Sequence, residues 1–82
     1  MAITIYENEA WGGASVRATL NKKTGIVSLQ HAKTGYNYRT KIKVSIADFK
    51  RVAEQLDIWN PYRRHPETLN QIAVELTGKH IY

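Results

Sequence analysis

The chain has 82 residues, a formal net charge of +5 at pH 7 and no cysteine. A chain this short forms one domain, residues 1 to 82, with a modest core, so we expect a homodimer to contribute to its stability. The missing cysteines exclude disulfides, thiolate metal sites and cysteine nucleophiles.

The charge is concentrated in the middle of the chain. Residues 12 to 51 contain nine Lys or Arg and one acid, a net charge of +8, whereas residues 52 to 82 are nearly neutral. This block predicts an anionic partner. The apolar runs are too short to span a membrane, and the first eleven residues carry two acids and no basic residue, unlike a signal peptide. We therefore expect a cytoplasmic protein with no membrane partner.

Three strands are predicted in the first part of the chain. Alternating apolar and polar residues indicate a first strand around residues 3 to 6 and a second, half-buried strand over residues 14 to 20. The sequence NKKTG follows, with Gly25 where a hairpin turn needs a positive φ. The segment IVSLQH predicts the third strand, and KTG then recurs at residues 33 to 35. Both KTG tripeptides are typical of turns.

The fourth predicted strand covers residues 36 to 44, where the alternation runs without a break. One set of alternate residues shares the side of the apolar Ile42 and Val44: Tyr36, Tyr38, Thr40, Ile42 and Val44. The other set is polar and mostly cationic: Asn37, Arg39, Lys41 and Lys43. If the apolar set faces the core, the second set forms an outward basic row, which Arg17 joins from a neighbouring strand.

The period of the apolar residues changes from two to helical at Ser45. Ser45 is a favourable N-cap, and the first helix should end at Asn60, before Pro61. A second helix is predicted from Pro66 to a cap at Gly78, followed by a short irregular tail. The order β-β-β-β-α-α predicts an α+β fold, a four-stranded antiparallel meander with two helices packed on one face.

The basic sheet face is the strongest candidate site. Cations neutralise phosphates and aromatic rings stack on bases, so this combination suits nucleic acid. The candidate nucleic-acid-binding residues are Arg17, Lys22, Lys23, Lys33, Arg39, Lys41, Lys43, Tyr36, Tyr38, Arg63 and Arg64. Tyr36 and Tyr38 alternate in phase with Ile42, so a regular strand would turn both rings towards the core, where they could not stack on bases. A twist or bulge would be needed to expose them. A solvated polar sheet face is the alternative interpretation.

Enzymatic and metal-binding motifs are not found. KTG occurs in serine β-lactamases beside an S-x-x-K nucleophile, which this chain lacks. The histidines His31, His65 and His80 do not have metal-ligand spacing, and His31 is expected to be partly buried and structural. We expect no catalytic residues, no metal and no cofactor.

The segment KVSIADFKRVAEQL, Lys43 to Leu56, follows a strand meander and contains the helix start K-x-S-x-x-x-F. In this it resembles the positive cofactor four family of transcriptional coactivators, over roughly residues 3 to 58. The resemblance implies a curved sheet that binds single-stranded DNA and a helix that dimerises. It implies a DNA path along Arg17, Lys22, Lys23, Arg39, Lys41 and Lys43. It places Phe49, Leu56 and Trp59 in the helix or dimer core, and residues 60 to 82 extend beyond the family's usual end.

The sequence therefore predicts a small, non-enzymatic nucleic-acid-binding protein that uses a basic sheet face and hairpin loops, with single-stranded DNA as a candidate ligand. The alternative is a protein-interaction module, a small inhibitor or adaptor that docks its basic face on an acidic protein surface. Both functions need the same cations, so the sequence leaves both open.

Overall fold

The structure, a computed structural model, describes residues 2 to 9, 15 to 33, 37 to 58 and 67 to 82. The elements are β1 (Ala2–Glu9), β2 (Ser15–Asn21), β3 (Ile26–Ala32), β4 (Arg39–Ser45), α1 (Ile46–Leu56) and α2 (Glu67–Thr77). The strands form one antiparallel sheet in the order β1-β2-β3-β4. This confirms the predicted α+β class and the four-stranded meander followed by two helices. Neither helix among the described residues is long and apolar enough to cross a membrane.

Several predictions concern residues outside the described ranges. These are the turn at Gly35, the positions of Tyr36 and Trp59, the helix start at Pro66, and the basic residues Arg63 and Arg64 between the helices.

The turn between β2 and β3 forms where Gly25 was predicted to make it. Gly25 has a φ of 70°, and its N–H donates to the Asn21 carbonyl at 2.8 Å. A positive φ is inexpensive for glycine because it has no Cβ. The Gly25 carbonyl accepts the N–H of Ile46 at 2.8 Å, so this turn also holds the start of α1.

β1 contains one residue more than the strand it pairs with. Thr4 lies opposite Thr19, whereas Tyr6 lies opposite Ala18, so Ile5 is the extra residue of a bulge. The bulge gives the core position to Tyr6, which is 3% exposed, while Ile3 remains 39% exposed. The simple alternation of the first predicted strand is therefore interrupted.

α1 begins as predicted and ends earlier than predicted. Ser45 is the N-cap, and its Oγ accepts the N–H of Asp48 at 3.2 Å. The helix ends at Leu56 because Asp57 takes a left-handed conformation, and the N–H groups of Asp57 and Ile58 donate back to Glu54 and Ala53. This pairing satisfies two of the last four carbonyls of the helix. The predicted end at Asn60 is wrong, because Ile58 leaves the helical path to become fully buried.

The core lies between the helices and one face of the sheet. α1 packs on β3 and β4, and α2 packs on α1 and β2. The buried side chains of the sheet include Val16, Ala18, Val27, Leu29, Ile42 and Val44, and those of the helices include Phe49, Val52, Leu69, Ile72 and Ala73. The opposite face of the sheet points away from both helices and is left for polar side chains.

Residues 79 to 82 are irregular, as predicted, but they pack against the domain. Ile81 is 2% exposed, and its N–H donates to the Oδ1 of Asn70 on α2 at 2.8 Å. The ring of Tyr82 stacks on His31 at the end of β3, with centroids 5.1 Å apart and planes 15° apart. One side chain of α2 therefore holds the tail beside the sheet.

The tail anchor predicts the behaviour of two variants of Asn70. Asn70→Ala removes the acceptor of a partly buried N–H and should lower the free energy of unfolding by about 1 to 3 kcal/mol. Asn70→Asp keeps the accepting oxygen but removes the Nδ2 donor that reaches the Tyr82 carbonyl at 3.5 Å, so its loss should be intermediate. Urea denaturation measures both, and the ring-current shift of His31 reports whether Tyr82 stays stacked. Equal losses in the two variants would contradict the anchoring role of Oδ1.

Candidate nucleic-acid interface

A bulge in β4 decides which of its side chains lie on which face. Leu29 pairs with Ile42, but the next residue of β3, Gln30, pairs with Thr40, so Lys41 is one residue too many. An extra residue reverses the facing of every side chain beyond it. The predicted unbroken alternation over residues 36 to 44 is therefore wrong, and the regular strand begins only at Arg39.

The bulge lets a chain of hydrogen bonds cross three strands on the face away from the helices. The Nε of Arg17 donates to the Oε1 of Gln30 at 2.8 Å, and the Nε2 of Gln30 donates to the Oγ1 of Thr40 at 3.0 Å. Lys43 lies on the same face opposite Ser28 and is exposed. We call this surface the outer face, defined by Arg17, Gln30, Tyr38, Thr40 and Lys43.

Tyr38 belongs to the outer face because it packs against Arg17. The guanidinium carbon of Arg17 lies 3.9 Å from the centroid of the Tyr38 ring, a stacked cation–π contact. The ring is half-buried. A bulge was the condition under which Tyr38 was expected to leave the core side, and the bulge between Tyr38 and Ile42 changes the facing in this way.

Arg17 also has an acidic neighbour, Glu7, opposite it on β1. Glu7 is exposed, and the contacts of the Arg17 side chain among the described residues are those with Gln30 and Tyr38. Arg17 is thus held by a neutral amide and an aromatic ring rather than by a carboxylate. Within the described part of the chain, no carboxylate forms an ion pair with its guanidinium.

A basic cleft of about 370 Å³ lies where β3 ends and β4 begins. The described residues that line it are His31, Lys33, Asn37, Arg39 and Lys41, and none of them is acidic. Arg39 reaches this place because the bulge sets it opposite His31. The predicted row of Arg39, Lys41 and Lys43 is therefore divided, with Lys43 on the outer face and the other two at the cleft.

His31 forms the least exposed part of the basic cleft. It is half-buried, as predicted, and one face of its ring is covered by Tyr82. Burial, and secondarily the nearby positive charge of Lys41, lower the pKa of His31 below its usual 6.5. The imidazole is therefore neutral at pH 7 and has one N–H to donate.

The remaining predicted cations lie elsewhere. Lys22 and Lys23 are exposed on the β2–β3 turn, at the opposite end of β3 from the basic cleft. The seven residues of β3 separate the two places by roughly 20 Å, at about 3.3 Å per residue. Lys22 and Lys23 therefore cannot hold one phosphate together with Lys33.

Sequence reasoning missed four residues that form these surfaces, Gln30, Thr40, His31 and Asn37. It also missed Tyr82, which covers one face of His31. Gln30 has the outward parity of β3, so its place beside Arg17 could have been found from strand pairing alone. The position of Thr40 depends on the bulge, and that of Tyr82 depends on how the tail packs. Neither has a local signal in the sequence.

The cations of both surfaces lack carboxylate partners within the part of the chain that the structure describes. The ion pair between described residues joins Arg51 to Asp48 at 3.4 Å, on the exposed side of α1. In the same ranges, His and acidic side chains do not form a group of three that could hold a metal ion. The surfaces are thus suited to an anionic ligand rather than to a cation.

No protein family, curated protein or solved structure matches this chain. The resemblance to the positive cofactor four family stays a prediction. In the structure, the apolar side of α1 is already covered within one chain, because Phe49 and Val52 are buried against the sheet and α2. The helix face that the resemblance assigns to a dimer therefore has an intramolecular partner.

The lowered pKa of His31 predicts a pH dependence of stability. The unfolded chain takes up a proton at about pH 6.5, whereas the folded chain resists it, so the unfolded state binds more protons as the pH falls. The free energy of unfolding should therefore decrease between pH 7.5 and 5.5. His31→Phe keeps a ring against Tyr82 and should make this decrease smaller.

Urea denaturation at several pH values measures the effect. His80→Gln is the matched control, because it removes an exposed imidazole outside the basic cleft. An unchanged slope in His31→Phe would show that His31 does not contribute.

Proposed function

We propose that this is a non-enzymatic, cytoplasmic protein that binds single-stranded nucleic acid with the outer face of its sheet. The observation that carries the proposal is the stacked pair of Arg17 and Tyr38 on an open, cationic sheet face. Unpaired bases stack on aromatic rings and guanidinium planes, whereas a duplex keeps its base faces covered. The pair thus favours a single strand over a duplex.

The hydrogen bonds of the outer face support this role because they fix the stacking group before any ligand arrives. The Nε of Arg17 donates a hydrogen bond to Gln30, and Gln30 in turn donates one to Thr40. An arginine has five N–H donors, so its terminal nitrogens are left for a phosphate or a base edge. A side chain that is already ordered loses less entropy on binding, which favours affinity.

Phosphate contacts would come from the cations around β4. Lys43 is on the outer face, and Arg39 and Lys41 lie at the basic cleft on the same strand. β4 is an edge of the sheet, so a strand that crosses the outer face meets these cations as it passes this edge. Neutralising about four phosphates of a single strand predicts a slope of roughly −3 in a plot of log affinity against log salt concentration.

The cations and the ring of Tyr38 should affect binding in different ways. Lys43→Glu removes a phosphate contact, so it should weaken binding and make the salt slope shallower. Tyr38→Leu keeps an apolar side chain but removes the ring, and should cost about 1 to 3 kcal/mol of binding free energy with an unchanged slope. Fluorescence anisotropy of a labelled single-stranded oligonucleotide at several salt concentrations measures both.

Lys50→Glu is the matched control for charge reversal. Lys50 is exposed on α1, across the core from the outer face, so this variant changes the net charge equally without touching the surface. Equal losses in Lys43→Glu and Lys50→Glu would show that net charge alone attracts the oligonucleotide. A parent protein that binds no oligonucleotide at low salt refutes the proposal, and a protein partner that survives nuclease treatment would then favour docking on an acidic protein surface.

The homodimer predicted from the length of the chain is part of the proposal. Because α2 covers α1, the dimer must use a surface other than the buried side of that helix. Sedimentation equilibrium in the micromolar range should give twice the mass of one chain. A single-chain mass at all concentrations would rule out the dimer and leave the binding surface as described.

A further inference from the structure

The basic cleft concentrates more positive charge than an internal phosphate needs. Lys33 follows the end of β3, Arg39 is the first residue of β4 and Lys41 is the extra residue of the bulge. A phosphodiester inside a nucleic-acid strand carries one negative charge, whereas a phosphomonoester carries about −1.5 to −2 at pH 7. Three cations without an acidic neighbour among the described lining residues match the second kind of phosphate better.

The donor groups of the cleft also suit a phosphomonoester. A guanidinium such as that of Arg39 binds two phosphate oxygens at once, and ammonium groups such as those of Lys33 and Lys41 act as mobile point charges. Asn37 supplies an amide N–H, and the neutral His31 supplies a further donor. A terminal phosphate has three free oxygens to accept these bonds, one more than an internal phosphodiester offers.

The volume of the cleft exceeds that of the phosphate alone. At about 30 Å³ per water molecule, a volume of about 370 Å³ corresponds to roughly twelve waters. A phosphate has five heavy atoms, so the cleft leaves space for the sugar to which it is attached. The ring of Tyr82 stacks on His31, which is one of the residues lining this space.

We propose that the basic cleft binds a phosphomonoester dianion, namely the terminal phosphate of a nucleic-acid strand lying on the outer face. This inference rests on the proposed function, because the nucleic-acid strand that carries the phosphate is the ligand proposed for the outer face. Arg39 and Thr40 are neighbours in the chain but lie on opposite faces of β4, Arg39 opposite His31 and Thr40 opposite Gln30. A strand that leaves the outer face over this edge therefore brings its end to the cleft.

Three oligonucleotides of one sequence test the inference, with a 5′-phosphate, a 3′-phosphate or hydroxyl groups at both ends. One phosphorylated form should bind about tenfold more tightly than the hydroxyl form, since one charge-assisted hydrogen bond corresponds to a factor of about ten or more. Arg39→Gln and Lys33→Gln should reduce this ratio towards one, and Lys50→Gln on α1 should leave it unchanged.

The imidazole of His31 provides a second readout that needs no oligonucleotide. Lys41 lowers the pKa of His31 through its charge, and a dianion placed between the lysines and Arg39 opposes this effect. An NMR titration should therefore show a higher pKa for His31 with a nucleoside 5′-monophosphate or with inorganic phosphate, and no change with the nucleoside. The resonances of exposed His80 serve as the internal reference.

The two measurements separate the two proposals. Equal binding of all three oligonucleotides overturns the end-binding inference and leaves the proposed function intact. A rise in the pKa of His31 without oligonucleotide binding overturns the proposed function and the assignment of the phosphate to the end of a nucleic-acid strand. It identifies the ligand as a free phosphomonoester. No oligonucleotide binding and no change at His31 overturn both.

Discussion

The extra residue Lys41 in β4 is the feature on which both surfaces of the protein depend. A β-strand has a side-chain period of two, so an apolar residue at one position fixes the facing of all others. Ile42 and Val44 must face the core because they pack beneath α1. Without a bulge, Thr40 would face the core as well and Gln30 would lose its acceptor. The additional residue allows Ile42 and Val44 to face the core while Thr40, on the same strand, joins the hydrogen bonds of the outer face.

The bulge and the helices impose different requirements on the sheet. The core face needs uninterrupted apolar side chains, which β2 and β3 supply with regular pairing throughout. The edge strands β1 and β4 each contain one extra residue. Bulges are tolerated best at edges, because only one ladder of hydrogen bonds is disturbed. The central pair therefore provides stability, and the edge strands are where side chains are redirected towards solvent.

Local signals in the sequence predicted the elements, whereas the surfaces depend on pairing between distant residues. Gly25 and Ser45 mark their turn and helix start through their own backbone preferences. The position of Lys41 as the extra residue depends on which residues of β3 stand opposite, and it is not visible within β4. The contact between His31 and Tyr82 joins residues from opposite parts of the chain. The division of the cations between two surfaces follows from these non-local contacts.

The placement of the charges says more about function than their number. A net +8 over residues 12 to 51 would attract any anion, including an acidic protein surface. The structure places part of this charge on a sheet face with a stacked Arg17–Tyr38 pair and part in a cleft that is bordered by Lys33, Arg39 and Lys41. A protein surface presents separate carboxylates on short side chains, which need neither a stacking group nor a cleft. The proposed ligand, a single strand with a terminal phosphate, has flat bases, regularly spaced charges and a more highly charged end, and each would have a counterpart here.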